Sequence, residues 1–236
     1  MMRMKAEATK TEWSRIRAVV FDMDGVIFDS ERATFNEWVA LAERYGLKNI
    51  DIPYRQCIGV NARRTKEIMV DFYGPDFPYD DYAKETSLSY HAKYDGGRLP
   101  LKTGVLSLLE VLKAKGIWVA LASSTRVDTV KQQLEDAKLL QYFDRVIGGD
   151  MITKSKPAPD IFLAAIEGTD IVPAECVVIE DSYNGIRAAH AAGMVPIMVP
   201  DMLPPNEEME KLASMILPDL DAVRDFMSFS ETILEI

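Results

Sequence analysis

Four short apolar runs constrain this chain more than any other feature: Ala18-Val19-Val20-Phe21, Ile117-Trp118-Val119-Ala120-Leu121-Ala122, Cys176-Val177-Val178-Ile179 and Val195-Pro196-Ile197-Met198-Val199. They are rich in β-branched residues and do not alternate with polar ones, so they predict strands buried on both faces, which means a parallel sheet. Arg145 to Gly149 is a weaker candidate of the same kind, and Ser214 to Leu217 a candidate edge strand. Amphipathic segments fall between the later runs. Val105 to Lys115 sets Val105, Leu108, Leu109 and Leu112 on one face, with Thr103 as the expected N-cap and Gly116 as the stop. Val127 to Lys138, Pro159 to Glu167 and Asn184 to Ala192 also predict helices. Strands and helices alternating at this rhythm imply right-handed βαβ units and an α/β fold with helices on both sheet faces.

One connection breaks the rhythm. Between Asp29 and Leu101 lie about seventy residues without a convincing strand, far more than the dozen or so that a crossover needs. Helical patterns fill it instead: Glu31 to Tyr45, with Phe35, Trp38, Leu41, Ala42 and Tyr45 on one stripe, then Asn61 to Tyr73, then Pro78 to Tyr94. The expected organisation is a catalytic core formed by residues 1–29 and 101–236, with a helical domain over 30–100 inserted after the first strand. A domain on two short tethers is either a movable lid or a rigid packed subdomain.

Composition excludes several functions. The 236 residues carry a formal charge of −10, the wrong sign for nucleic acid or an anionic membrane surface. The densest basic group of the inserted helices, Arg63, Arg64 and Lys66, is too small for a phosphate track. No apolar run approaches the roughly 20 residues of a membrane span. Cys57 and Cys176 show no paired spacing, and Met1 to Arg17 lacks the apolar centre of a secretory signal, so a cytoplasmic protein is expected.

Ligands of open parallel sheets bind beyond the carboxyl ends of the strands. Here those ends carry Asp22-Met23-Asp24-Gly25, Ser123-Ser124-Thr125 and Glu180-Asp181-Ser182, and Lys154-Ser155-Lys156-Pro157 follows the weaker strand. Singly, each reads as a turn, a helix cap or a surface charge. Jointly, they bring carboxylates, hydroxyls and a lysine to one edge, and clustered like charges are costly unless a cation joins them. Carboxylates without a histidine or thiolate cluster suit a hard cation, Mg²⁺ where a phosphate supplies further oxygens. In that chemistry Asp22 is the nucleophile, Asp24 the acid and base, and Ser123 with backbone N–H groups holds a phosphoryl oxygen. Lys156 stabilises the spread negative charge, and Asp22, Asp24, Glu180 and Asp181 form the metal set, Glu180 either through a water or by supporting the direct ligands.

These segments resemble the haloacid dehalogenase superfamily. Phe21 to Ser30 is similar to its first motif, and Ser123, Lys156 in Ser155-Lys156-Pro157-Ala158-Pro159-Asp160, and Glu180-Asp181-Ser182 follow as its second, third and fourth, in order. The resemblance runs from about Arg17 to Leu217 and is nearest to the branch of β-phosphoglucomutase and phosphoglycolate phosphatase. It implies a Rossmann-like core, a helical cap, Mg²⁺ dependence and a monomer. Asp24 favours phosphotransfer over dehalogenation, because a halide leaving group needs no proton. Mutases of the branch carry a histidine at the position of Thr34, which makes a phosphatase acting on a small phosphorylated metabolite, a sugar phosphate above all, the leading expectation. A sugar-phosphate mutase and a non-catalytic binding protein are the alternatives. Expected substrate contacts are Ser123, Ser124 and Lys156, with Arg63 or Arg64 facing the cleft, and Arg98 and Asn184 as further candidates.

Overall fold

The apolar runs pair side by side in the computed structural model, which describes residues 3–4, 15–58 and 62–229. Strands β2 (Ala18–Phe21), β3 (Trp118–Ala122), β4 (Arg145–Ile147), β5 (Cys176–Glu180), β6 (Val195–Met198) and β7 (Met215–Ile216) are parallel, in the order β7-β6-β5-β2-β3-β4. A two-residue strand, β1 (Arg3–Met4), pairs antiparallel with β7 at the edge. This is the expected Rossmann-like α/β architecture.

The absence of alternation in the runs has a direct cause. Val19 and Phe21 enter one apolar cluster, while Ala18 and Val20 enter another on the opposite face. On the first face lie α5 (Val105–Ala114), α6 (Val127–Asp136) and α10 (Leu220–Phe229); on the second lie α7 (Asp160–Ile166) and α8 (Tyr183–Ala191). Leu108, Leu109 and Leu112 of α5 are fully buried, each removing apolar surface worth about 2 kcal/mol. Helix α9 (Glu207–Leu212) closes the β6 side through Met209.

The entry to α5 corrects one expectation. Its cap is Gly104, not Thr103, and no side chain caps it. Gly104 has φ +88°, and a Cβ there would lie 2.4 Å from the backbone nitrogen of Asp221, so close packing on α10 dictates glycine.

Helices α1 (Ser30–Arg44), α2 (Asp51–Cys57), α3 (Ala62–Tyr73) and α4 (Tyr79–Tyr94) occupy the long connection. Helix α2 has no counterpart among the predicted helices, being short and without an apolar period, with Pro53 in its first turn, where proline is tolerated. Asn61, the expected start of α3, lies outside the described residues. These helices share an aromatic cluster in which Trp38 meets Tyr54 at 5.1 Å and Tyr82 at 5.6 Å between ring centres. Buried Tyr82 donates to the Trp38 carbonyl at 2.6 Å, so its hydroxyl is satisfied. Among the described residues no helix is long and apolar enough to cross a membrane.

A buried carboxylate ties α1 to α4. Glu37 is 4% exposed and accepts from Lys93 Nζ at 2.8 Å and Ser89 Oγ at 2.6 Å. Burial pushes its pKa up, but the bonds from Lys93 and Ser89 outweigh it and hold the carboxyl below its usual range. A depressed carboxyl pKa adds stability that is present above the unfolded-state value and lost as pH falls through the folded one. Lys93→Ala is therefore expected to destabilise measurably but modestly at neutral pH, the lysine being solvent-exposed and screened. The gap from wild type should narrow as pH falls through the folded-state value and Glu37 takes up a proton, in urea titrations over a series of acidic pH values.

Candidate active site

Register brings three strand ends to one level. Phe21 stands opposite Leu121 on one side and Ile179 on the other, so the next residues, Asp22, Ala122 and Glu180, share the carboxyl edge of the sheet. The Asp22 N–H donates to the Ile179 carbonyl at 3.0 Å and continues the ladder into the site.

Lys156 enters from the connection after β4 and closes this edge. Its ammonium donates to Asp22 Oδ1, to Glu180 Oε1 at 2.7 Å and to the Ala122 carbonyl at 3.3 Å, with the Phe162 ring behind it. Only 7% of its side chain is exposed. Burial alone would lower its pKa, but Asp22 and Glu180 outweigh burial and raise it. Lys156 is thus a permanently charged group.

Asp22, Glu180 and Asp181 form a group whose carboxylate oxygens lie within 4.8 Å of one another. Burial pushes Asp22 up to about 8, with Glu180 and Asp24 adding to the rise and Lys156 opposing it. Asp181 is raised well above the carboxylate range by burial, then by Glu180 and Asp22. Two glycines permit this crowding. Gly25 turns the chain at φ +77°, and a Cβ there would sit 2.5 Å from Asp181 Oδ2. At Gly185 in α8 a Cβ would fall 1.7 Å from Glu180 Oε1. The other Glu180 oxygen accepts from the Ser182 N–H at 2.7 Å.

Asp24 stands apart. Expected among the metal ligands, its carboxylate lies outside the group of three because Ser30 Oγ and Thr125 Oγ1 hold it at 2.7 and 3.4 Å. Burial raises its pKa, and the two hydroxyls and Lys156 only partly offset that. Ser123 is 1% exposed at the end of β3, with its Oγ accepting from the Thr125 N–H at 3.0 Å. Beyond these residues opens a cleft of about 670 Å³, lined by Asp22, Asp24 and Lys156, by Ser124 and Asn184, and by Glu31 and Arg64 from the helical segment.

The cap candidates separate. Arg64 reaches the cleft; Arg63, with 91% of its side chain exposed, turns to Glu67 at 3.2 Å. Arg64 also bonds Glu67, at 3.1 Å, but of the two it alone lines the cleft. Arg98 also leaves the list, since it donates to the Asp95 and Ala92 carbonyls and closes the end of α4. His190 is exposed on its helix and His91 pairs with Asp95 at 3.0 Å, so neither enters the cleft.

A model of the haloacid dehalogenase-like hydrolase family matches residues 19–199. The chain belongs to that family. Its relatives include the phosphorylated carbohydrates phosphatase of Thermotoga maritima, 33% identical over 179 residues covering 76% of this chain and 82% of that protein. The β-phosphoglucomutase of Bacillus subtilis is 32% identical over 196 residues, covering 78% and 83%. Among solved structures, CbbY from Rhodobacter sphaeroides in complex with phosphate superposes with a TM-score of 0.66 at 25% identity, covering 87% of this chain and 95% of that one. This haloacid dehalogenase-like hydrolase is accordingly an enzyme.

Ser30, Thr125 and Glu31 join the site without a signal in the sequence. A serine and a threonine among several carry no signature, and Glu31 in the first turn of α1 reads as an ordinary acid complementing the helix dipole.

Gly185 offers a test of the crowding. Glycine to alanine inside a helix ordinarily stabilises by about 1 kcal/mol. Here Gly185→Ala is expected to destabilise by about 1–3 kcal/mol, because the new methyl must displace the buried Glu180 carboxylate. Chemical denaturation monitored by circular dichroism checks the sign.

Proposed function

We propose that this enzyme is a Mg²⁺-dependent phosphatase of small phosphorylated carbohydrates working through a phosphorylated Asp22. The observation that carries the reading is the division of labour at the end of β2: Asp22 bonded to a buried lysine, and Asp24, two residues on, held separately by Ser30 and Thr125. The named activities of the Thermotoga and Bacillus relatives support the substrate class. Thr34, where mutases of the branch carry histidine, favours release of phosphate over its return to a sugar.

The donor set fits a hard divalent cation. Asp22, Glu180 and Asp181 offer only oxygens, within 4.8 Å of one another, and the raised pKa values of Asp22 and Asp181 express the cost of assembling them without added positive charge. A bound Mg²⁺ supplies charge that keeps these carboxylates ionised and offsets the phosphoryl oxygens.

An Asp22 oxygen bonds to phosphorus as the ester P–O bond breaks, and Asp24 gives its proton to the departing alkoxide. Its raised pKa suits a group that must carry that proton. Water then attacks phosphorus, the P–O bond to Asp22 breaks, and Asp24 takes the water proton. Lys156 holds Asp22 in place and adds fixed positive charge beside the transferring group, and Ser123 and Ser124 lie at the β3 end to receive phosphoryl oxygens. Residues 30–100 act as a cap, with Arg64 its contact to substrate.

Asp22→Asn should abolish Mg²⁺-dependent hydrolysis of p-nitrophenyl phosphate by at least about a thousandfold; wild-type turnover in that variant overturns the mechanism. Asp24→Asn behaves differently, since p-nitrophenolate leaves without a proton while the second step still needs a base. The phosphorylated enzyme should accumulate and show a phosphoryl mass gain in intact-protein mass spectrometry. Arg64→Ala should raise KM for the preferred sugar phosphate several-fold and Arg63→Ala leave it unchanged, as steady-state kinetics can show.

A further inference from the structure

Outside the catalytic cleft, and sharing no lining residue with it, a groove of about 380 Å³ separates the end of α4 from helix α6. One wall is a face of α6. Asp128, Gln132 and Asp136 follow one another at every fourth position, so they stand on one side of the helix, with Gln133 beside them. The other wall holds Tyr90, Tyr94 and Asp95 at the end of α4, together with Phe28 and Leu99. Gly97, two residues past Asp95, fixes how the walls meet, because a Cβ there would lie 2.6 Å from the Asp136 carbonyl oxygen. Asp95 and Asp136 thus belong to one end of the groove, and Asp128 lies about 12 Å back along the α6 axis.

Three carboxylates line this groove and no lysine or arginine does. Asp136 accepts from the uncharged Gln132 amide at 2.9 Å, and Asp95 pairs with His91 at 3.0 Å. The cations nearest in sequence are engaged elsewhere. Lys93 pairs with Glu37 while resting over the Tyr94 ring at 5.1 Å, and Arg98 donates to the Ala92 and Asp95 carbonyls. Gln133 Oε1 is buried and has no hydrogen-bond partner among the described residues. A buried acceptor left without a donor is costly, which marks this atom as a place for a ligand N–H.

We infer that the groove binds a linear organic cation of the polyamine class, with ammonium groups at the two acidic positions of α6 and methylenes against the Tyr90, Tyr94 and Phe28 rings. Ammonium groups carry only donors, which suits Gln133 Oε1 and the carboxylates, and they are attracted to aromatic faces; an anion would meet three like charges. The chain's −10 attracts cations everywhere, but acids set one helix length apart over an apolar lining select a cation with charge at both ends. The site stands independently of the phosphatase reading. Its occupant touches both the inserted helices and the sheet-flanking helix α6.

Isothermal titration calorimetry with spermidine at physiological salt tests it, since screening suppresses diffuse attraction. One saturable site of submillimolar Kd is expected. Asp128→Asn/Asp136→Asn should raise Kd at least about tenfold and Gln133→Leu several-fold, with urea titrations showing that each variant is folded. Glu43→Gln/Glu110→Gln removes two charges from exposed positions outside the groove and should leave Kd unchanged. Butylamine, with a single ammonium, should bind at least about tenfold more weakly than spermidine. Absence of a saturable site overturns the inference, as does an unchanged Kd in Asp128→Asn/Asp136→Asn. Equal weakening in Glu43→Gln/Glu110→Gln also overturns it, because the attraction is then diffuse, and equal affinity for butylamine removes the two-ended placement on which it rests.

Discussion

The structure of the site depends on one buried ammonium. Lys156 touches Asp22 at the end of β2, the Ala122 carbonyl at the end of β3 and Glu180 at the end of β5, so three adjacent strands meet at a single charge. Stripping a lysine of water costs several kcal/mol, and two carboxylates at hydrogen-bond distance repay it only because all three ammonium protons find acceptors. The compensation runs both ways. Without Lys156, Asp22 and Glu180 would be buried beside Asp181 with nothing to balance them.

One lysine does not neutralise three carboxylates. Asp181 makes no ion pair among the described residues, and its pKa rises because burial, Glu180 and Asp22 all act against ionisation. The crowding of carboxylates is local. The chain's overall −10 repels polyanions from the surface, whereas the cleft needs positive charge only where phosphorus reacts. Glycines at 25 and 185 set how tightly the carboxylates approach, since either Cβ would occupy the space of a carboxylate oxygen.

Much of this was legible in the chain, for identifiable reasons. Runs that bury both faces announce a parallel sheet, and a parallel sheet announces where ligands bind, so Asp22, Asp24, Lys156, Glu180 and Asp181 could be found by looking just past each strand or its connection. What escaped depends on facing rather than on spacing. Arg63 and Arg64 are equivalent in sequence until a helix axis decides which one points inward. Gly104 replaces Thr103 as the cap because of a contact with Asp221, more than a hundred residues away in the chain. Asp24 leaves the carboxylate group because Ser30 and Thr125, one from each side of the long insertion, hold it.

That last contact ties the site to the start of the inserted segment. Ser30 opens α1 and fixes Asp24 at 2.7 Å; the next residue, Glu31, faces the cleft with Tyr54 behind it. Two consecutive side chains at the tether therefore face Asp24 and the cleft. Lys102, just beyond the return tether, holds Asp29 at 3.4 Å and buried Asp201 at 2.7 Å, anchoring the same segment from the other side. Movement of α1 relative to the sheet would shift Asp24's hydroxyl partner and Glu31 together. The proton-transfer group and one wall of the cleft therefore depend on the same short piece of backbone, which Lys102 pins to the core.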